Sequence, residues 1–468
     1  MKQHYFRYRA VVILFLMSLS AAMPCLAAVP RDLSLQDSIA LSLQNNTQLK
    51  IAAQSQEKSQ WTIKQAQSYS GFNLTYNFTG VRGDTPASWL APYTVTMMPT
   101  AAMIGSVGVV TGFNPVKTFN YDKLTPYNYY TNQLKLTLPV YTGGKLESIV
   151  DQAKNGSKVA DLNLLAVKQQ VTLETTIDYF HVLQARNLLV VAQQTSDDLA
   201  QHLIIVQSLY DAGTVALPDI LQTNVRLANS HDGLIKAQNA YQLSMYALNN
   251  VMGLPIRTEL RASDEFVYRV YPLSLDECIA TAQSQRPELA AAAINIAINQ
   301  EQVTVAKSDN LPTISLFGTQ TWNSEKSNSQ VGNYNEKDWM VGANLSLDLF
   351  DNGRTKAQIK QAETGVAIAK DQLQKARDDI SLEVSSYYLS MREAEKRMET
   401  NKVSVHEAQT DLALTKQRYE AGVGTNLDVI DAELALDRSM TNQIQALYDY
   451  NTCKAQLHKA MGADIPLT

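Results

Sequence analysis

The side chains that could support catalysis or metal binding are scattered along this 468-residue chain without the spacing that such chemistry needs. His406-Glu407 lacks the second histidine of a zinc-protease helix, and Gly143-Gly144-Lys145 lacks the spaced glycine and the Ser/Thr of a phosphate loop. Four more histidines show no ligand spacing to one another or to a cysteine: His181, His202, His231 and His458. We therefore predict that the protein is not an enzyme and that it holds no cofactor or metal.

The N-terminal segment is typical of an export signal. Three basic residues precede the apolar run Ala10–Leu19, which is too short to span a bilayer, and small residues follow it. We expect cleavage after Ala27 or Ala28, so that residues 1–28 form a signal peptide, and Cys25 leaves lipidation open. Loss of the three basic residues changes the formal net charge from −5 to −8, which argues against a nucleic-acid partner.

The remaining chain contains nearly the same unit twice. Residues 33–53 reappear at 273–293, displaced by 240 positions, and residues 210–221 reappear at 419–430, displaced by 209. The two displacements differ by 31, so the first copy carries an insertion between its early and late parts. Self-similarity on this scale predicts a tandem structural repeat. We divide the chain into a first repeat, a linker, a second repeat and a short tail, at 29–252, 253–272, 273–462 and 463–468.

Each repeat contains two segments with the periodicity of β-strands. Apolar and polar residues alternate over about 72–80, 130–141, 313–322 and 338–350. The apolar face could meet lipid in an outer-membrane barrel or cover the core of a soluble domain. Four strands cannot close a barrel, and open sheet edges are not tolerated in lipid, so a barrel would need several chains.

Long helices account for most of the rest, which makes the predicted fold mainly α with β. No proline interrupts the chain from Gly144 to Tyr210 or from Gly353 to Tyr419, and good helix formers dominate both runs. A helix of about 65 residues would extend roughly 100 Å, so it must pack along its length in a coiled coil or bundle. Further helices are expected at 33–69, 216–252, 273–310 and 425–461.

The order of these elements, together with several motifs, resembles the TolC-like outer membrane factor family from Leu33 to about Gly462. The motifs are the paired starts LSLQDSIALSLQNN and LSLDECIATAQSQRPEL, the strand-to-helix passages VYTGGK and LFDNGR, and the turns LYDAGTV and RYEAGVGT. The resemblance implies a homotrimer in which a 12-stranded antiparallel outer-membrane β-barrel, four strands per chain, joins a long-helix α-barrel in the periplasm. It also implies an exit duct of a tripartite efflux or type I secretion system, with a periplasmic adaptor and an inner-membrane pump as partners.

The resemblance points to two functional places on the helical hairpins. The exposed tips, 211–218 and 420–427, would dock the adaptor through Gly213, Thr214, Val215, Gly422, Val423 and Gly424. Asp428 and Asp431 would form an acidic ring at the periplasmic entrance. Around a threefold axis these two positions would supply six carboxylates, which attract cations.

A capping role is the alternative for these two carboxylates. Acidic residues in the first turns of a helix favour its dipole, with Thr425 or Asn426 as the N-cap. The matching residues of the first repeat are Asp219 and Gln222, so the two tips are not equivalent.

A soluble periplasmic coiled-coil scaffold or adaptor is the competing interpretation of the whole chain. Adaptors also carry helical hairpins, but they seldom show the complete helix–strand–strand–helix unit in duplicate.

The loop at 80–129 contains the 31 additional residues of the first repeat. It has no charge from Thr85 to Val116, and we expect it to fold over the barrel mouth, pack between protomers or extend the hairpin above the membrane. Cys278 and Cys453 are expected to be apolar fillers and not a disulfide.

Overall fold

The computed structural model describes residues 31–83, 93–104, 107–119, 127–327 and 334–463. The expected signal peptide and the last five residues of the chain lie outside the described residues. The helices of the described ranges are α1 Leu35–Asn45, α2 Thr47–Ser68, α3 Lys145–Asp211, α4 Leu217–Val251, α5 Leu275–Gln285, α6 Pro287–Ser308, α7 Arg354–Glu420 and α8 Asn426–Ala460. The strands are β1 Arg31–Leu33, β2 Asn73–Gly83, β3 Tyr93–Ile104, β4 Val107–Phe119, β5 Tyr127–Tyr141, β6 Leu260–Ala262, β7 Thr313–Ser327 and β8 Tyr334–Ser346.

The helix lengths repeat from one copy to the other. Helices of 11, 22, 67 and 35 residues follow one another as α1–α4 and again, in the same order, as α5–α8. The predicted mainly helical fold with strands is confirmed. Within the described part of the chain, none of the helices is both long and apolar enough to cross a membrane.

The two helices expected at 33–69 and 273–310 are each divided in two, so those bounds were wrong. Asn46 follows α1 with ψ 131°, and Arg286 follows α5 with ψ 120°. Arg286 precedes Pro287, whose ring disfavours the α conformation in the residue before it. Asn46 has no such neighbour, but its side-chain oxygen accepts from the N–H of Gln48 at 2.8 Å, as an N-cap does.

Both helix junctions are held by the same kind of contact. Asn46 Nδ2 donates to the carbonyl of Val251 at 2.9 Å, and Arg286 Nη1 donates to the carbonyl of Ala460 at 3.0 Å. These two carbonyls are 209 positions apart and end α4 and α8. Each repeat therefore ties the junction of its two short helices to the C-terminus of its last helix.

Contacts divide the chain into two compact units. Unit 1 holds the chain up to Lys58, Lys158–Ile294 and the chain from Lys370, and unit 2 holds Ser59–Ser157 and Asn295–Ala369. Unit 1 contains three apolar clusters. One belongs to the first repeat around Tyr179 and Leu248, and one to the second repeat around Met391 and Tyr450. The third joins both helical hairpins and contains Val206, Ile220, Leu412, Tyr419, Val429 and Ala432.

Unit 2 contains an antiparallel four-stranded sheet in the order β2-β5-β7-β8. Directly paired residues share one face of such a sheet, so the register assigns side chains to faces. One face carries the rows Leu74-Leu136-Gly318-Val341 and Tyr76-Leu134-Gln320-Trp339, and the other carries Asn77-Gln133-Thr321-Asp338. The sheet is therefore apolar on one face and polar on the other.

The observed strands differ from the predicted ones at their ends. β8 begins four residues earlier than expected and ends at Ser346, so residues 347–350 leave the ladder although their alternation continues. The expected loop at 80–129 contains β3 and β4, which pair as a separate antiparallel sheet. β1 and β6 form a short parallel pair within unit 1, which the sequence did not indicate. Cys278 and Cys453 are free thiols, the first buried and the second half-buried.

Candidate functional site

The first hairpin tip is a tight reversal between α3 and α4. Gly213 has φ +74°, and the space that a Cβ would occupy there is empty, so the glycine is needed for its backbone conformation. The N–H of Gly213 donates to the carbonyl of Tyr210 at 2.8 Å, and that of Thr214 to the carbonyl of Leu209 at 2.9 Å. This is the Schellman pattern, which satisfies the last carbonyls of a helix.

The second tip repeats this pattern between α7 and α8. Gly422 has φ +75°, and the carbonyl of Arg418 accepts from the N–H groups of Val423 and Gly424 at 3.0 and 3.1 Å. Both tips therefore turn through a glycine in the left-handed conformation. The side chain of Val423 is 68% exposed, whereas Val215 packs against the cluster shared by the hairpins. Val423 is therefore an exposed apolar side chain within the second turn, where Val215 of the first turn is partly covered.

Asp428 belongs to a capping box. Thr425 is the N-cap of α8: its hydroxyl accepts from the N–H of Asp428 at 3.2 Å, and the Asp428 carboxylate accepts from the N–H of Thr425 at 2.9 Å. The backbone hydrogen bond from Thr425 lowers the pKa of Asp428. Asp431 is also exposed but takes no part in the box. Helix α4 has Ala216 as its N-cap, without a side-chain hydrogen bond.

Asn426 joins the two hairpin tips, a role that the sequence did not suggest. Its side chain is buried, its Nδ2 donates to the carbonyl of Asp219 at 3.1 Å, and its Oδ1 lies 2.8 Å from Nε2 of His202 and 3.2 Å from the hydroxyl of Thr223. Burial lowers the pKa of His202. These partners lie more than 200 residues away, so no local signal could have identified them.

A buried ion pair lies further along the second hairpin. Glu433 is 6% exposed, and one carboxylate oxygen lies 3.1 Å from Lys416 Nζ. Burial raises the pKa of Glu433, and the charge of Lys416 opposes that shift. The carboxylate lines a cavity of about 250 Å³ together with Arg226 and Asp437.

The described residues offer no group of three or more His, Cys, Asp or Glu side chains that could hold a metal ion. The geometry that stands out is instead a pair of capped hairpin tips and a two-faced sheet whose apolar side chains are exposed.

Comparison with known proteins gives this geometry a context. The family model described as outer membrane efflux protein matches residues 38–254 and 278–463. The chain is similar to the outer membrane protein TolC of Vibrio cholerae, with 25% identity over 67% of this chain and 72% of that protein. It is 24% identical to the alkaline protease secretion protein AprF of Pseudomonas aeruginosa, over 71% of this chain and 69% of that protein.

Solved structures agree at the level of the fold. The outer membrane channel CmeC of Campylobacter jejuni superposes with a TM-score of 0.74 and 17% identity, covering 92% of this chain and 85% of that one. With the family model matching both repeats, this chain belongs to the outer membrane efflux protein family.

Proposed function

We propose that this protein is an outer-membrane channel that serves as the exit duct of a tripartite efflux or type I secretion system. The observation that carries the proposal is the four-stranded sheet, whose apolar face is exposed. Leu74, Tyr76 and Val341 on that face are 61%, 59% and 74% exposed. A soluble scaffold or adaptor would have to bury such a face in its own core, whereas a lipid-facing sheet would not.

The same sheet supports a homotrimeric barrel. β2 and β8 each pair with only one neighbour within the described ranges, so the sheet has two open edges. Open edges are not stable in lipid, and three copies of a four-stranded sheet supply the twelve strands of a closed barrel. Each edge would then pair with a neighbouring protomer.

Two apolar stripes on the helices also support a trimer. Leu217, Leu221, Val225, Ile235 and Leu243 fall within an arc of about 80° on α4, at 100° per residue, and all are more than half exposed. Leu382, Leu389, Val403 and Leu414 form a similar stripe of about 60° on α7. Such stripes are stable in water when they pack against another helix, and the partner proposed is a second copy of this chain.

The hairpin tips are proposed as the docking sites of a periplasmic adaptor that connects the channel to an inner-membrane pump. Their residues are Gly213, Thr214, Val215, Gly422, Val423 and Gly424. The exposed side chain of Val423 supports this role, because an apolar residue on a capped turn gives a partner helix a contact point. AprF is named for protein secretion, and export of polypeptides is one of the activities that the proposal covers.

Asp428 and Asp431 are proposed to form an acidic ring at the periplasmic entrance. Both carboxylates are exposed in the single chain, which is compatible with a water-filled opening. The capping box of Asp428 is compatible with the ring, since a capping carboxylate keeps its charge.

Fractionation and mass measurement test the architecture. The full chain, expressed in a Gram-negative host, should sediment with the outer membrane and resist mild extraction. In detergent it should have the mass of three chains and should conduct ions in a planar bilayer. Recovery in the soluble periplasmic fraction, or a folded monomer with an intact sheet, would refute the proposal.

Site-specific crosslinking tests the adaptor contact. Val423→Cys should crosslink to the adaptor in cells that contain it, and Lys402→Cys, at an exposed position on α7 outside the apolar stripe, serves as the control. Equal crosslinking of both variants would show that the tip is not a specific docking site.

A further inference from the structure

A cavity of about 440 Å³ opens in unit 1 between α1, α3, α8 and the linker that precedes α5. This volume lies within the range of small-molecule sites. Apolar side chains form much of its wall: Leu35, Phe180, Leu183, Phe266 and Ala455. The rings of Phe180 and Phe266 lie 5.7 Å apart and are tilted by 50°, so the wall presents aromatic surface.

Nitrogen-bearing side chains line another part of the cavity. Asn451, Lys454 and His458 are spaced by three and four positions along α8, which places them on one face of that helix. Arg269 reaches the same cavity from the linker. Both ring nitrogens of His458 are buried and have no hydrogen-bond partner. Because these nitrogens are closed off from the cavity, the polar groups that it presents here are those of Asn451, Lys454 and Arg269.

The two cations of the cavity have no ion-pair partner among the described residues. Burial and the charge of Arg269 lower the pKa of Lys454, and burial and the charge of Lys454 lower the pKa of His458 to about 4. Neither Lys454 nor Arg269 forms an ion pair with an acidic residue in the described part of the chain. An anion placed between them would relieve this repulsion.

Two carboxylates line the cavity, but they are engaged elsewhere or exposed. Asp264 Oδ2 accepts from the N–H of Leu35 at 2.8 Å and from the hydroxyl of Tyr179 at 2.9 Å. Glu265 is exposed to solvent. Neither one forms a salt bridge with the cations of the cavity among the described residues, so the positive charge of Lys454 and Arg269 stays available.

The matching positions of the first repeat show whether the fold itself requires Lys454 and His458. The residues 209 positions before Lys454 and His458 are Met245 and Asn249. Met245 packs in the apolar cluster of the first repeat, and Asn249 Nδ2 donates to the carbonyls of Ile256 and Thr258 at 2.9 Å. The same helix positions thus hold an apolar residue and an amide whose nitrogen is hydrogen-bonded in the first repeat. The fold does not require a lysine and a histidine there.

We propose that this cavity is a binding site for a small organic carboxylate with an apolar, ring-sized body. The Lys454 ammonium and the Arg269 guanidinium would bind the carboxylate group, and the Phe180 and Phe266 rings would hold the apolar body. Charge-assisted hydrogen bonds of this type are the stronger ones in proteins. The proposal goes beyond the channel function and does not depend on it.

Fluorine NMR on the full-length purified protein tests the site with 4-(trifluoromethyl)benzoate as the probe. The neutral 4-(trifluoromethyl)benzamide has the same body and controls for partition into detergent. The wild type should bind the benzoate at millimolar concentration or below and prefer it to the benzamide. Lys454→Met, which installs the residue of the first repeat, should weaken benzoate binding about tenfold or more, the loss expected for one charge-assisted hydrogen bond.

Lys402→Met, at an exposed position on α7, should bind the benzoate like the wild type and serves as the matched control. Arg269→Gln, at an exposed position of the linker, is the second variant if Lys454→Met does not fold, and it should also weaken binding. Equal binding of the two probes, unchanged affinity in a folded Lys454→Met protein, or no binding by the wild type would each overturn the proposal. Binding is measured without any transport assay, so its outcome is independent of the channel proposal.

Discussion

Replacing Arg286 with methionine should destabilise the second repeat strongly. The Arg286 side chain is 6% exposed and lies 2.9 Å from a carboxylate oxygen of Glu288 and 3.0 Å from one of Glu383. It also donates to the carbonyl of Ala460 at 3.0 Å. Arg286→Met would remove these contacts and leave a buried carbonyl without a partner.

The expected loss of stability depends on how exposed the carboxylates of Glu288 and Glu383 are. Removing one partner of a buried ion pair costs about 3–5 kcal/mol. Glu288 and Glu383 are 38% and 29% exposed, and Lys459 remains 3.9 Å from Glu383, so both carboxylates keep part of their compensation. We therefore expect a loss of about 3 kcal/mol per chain, the lower end of that range.

The unfolding rate is the suitable measurement, because large assemblies often unfold irreversibly. If the lost contacts break before the transition state, about 3 kcal/mol corresponds to roughly 100-fold faster unfolding. The rate can be followed by circular dichroism in urea at fixed temperature. Arg286→Asn should be milder, because Asn46, its counterpart in the first repeat, reaches the matching carbonyl with its amide. A methionine variant that unfolds as slowly as the wild type would refute the reasoning.

Three further predictions concern the hairpins and the first helix junction. Asp431→Asn should reduce cation selectivity in planar-bilayer recordings without altering the capping box of α8. Asp428→Asn should also reduce cation selectivity, while the side-chain oxygen of the new asparagine still accepts from the N–H of the N-cap residue. Unchanged selectivity in both variants would leave helix capping as the only role of these two carboxylates. Gly422→Ala should destabilise the protein by about 1–2 kcal/mol through the left-handed φ alone. Gly253→Ala should destabilise it by more, since a Cβ at this position would also lie 2.9 Å from a backbone oxygen. Equal melting temperatures of the two variants would contradict this prediction. Burial raises the native pKa of Glu433, so this residue's contribution to stability should be fully present below its ordinary pKa and should fall as pH rises through the native value. Glu433→Gln should remove that part of the pH dependence of the melting temperature. An identical pH profile in the variant and the wild type would contradict this prediction.

The two repeats share a backbone plan but differ in how their polar side chains are used. The junction of the short helices is held by Asn46 in the first repeat and by Arg286 with two carboxylates in the second. The second tip has a capping box at Thr425, whereas the first has Ala216 at the same place. At these two places the second repeat uses charged and capping side chains where the first uses a neutral amide and an alanine.

The sequence by itself determined the features that depend on local pattern. Alternation of apolar and polar residues identified the four strands of the sheet, because side chains of a strand point to opposite faces with period two. Uninterrupted helix formers identified α3 and α7, and Gly213 and Gly422 identified the turns after them, because few other residues adopt a positive φ. These signals occur in the same order in both repeats, and this duplication made the family resemblance specific.

Only the tertiary structure decided which distant side chains meet. Asn426 was a candidate N-cap from its position, yet Thr425 has that role and Asn426 joins His202 and Thr223 across the hairpins. Asn46 and Pro287 are local signals of the breaks before α2 and α6, but the carbonyl that holds each break lies far along the chain. Lys454 and Arg269 resemble ordinary surface cations in the sequence. Their shared cavity arises from the packing of segments that are more than 180 residues apart, which no local pattern encodes.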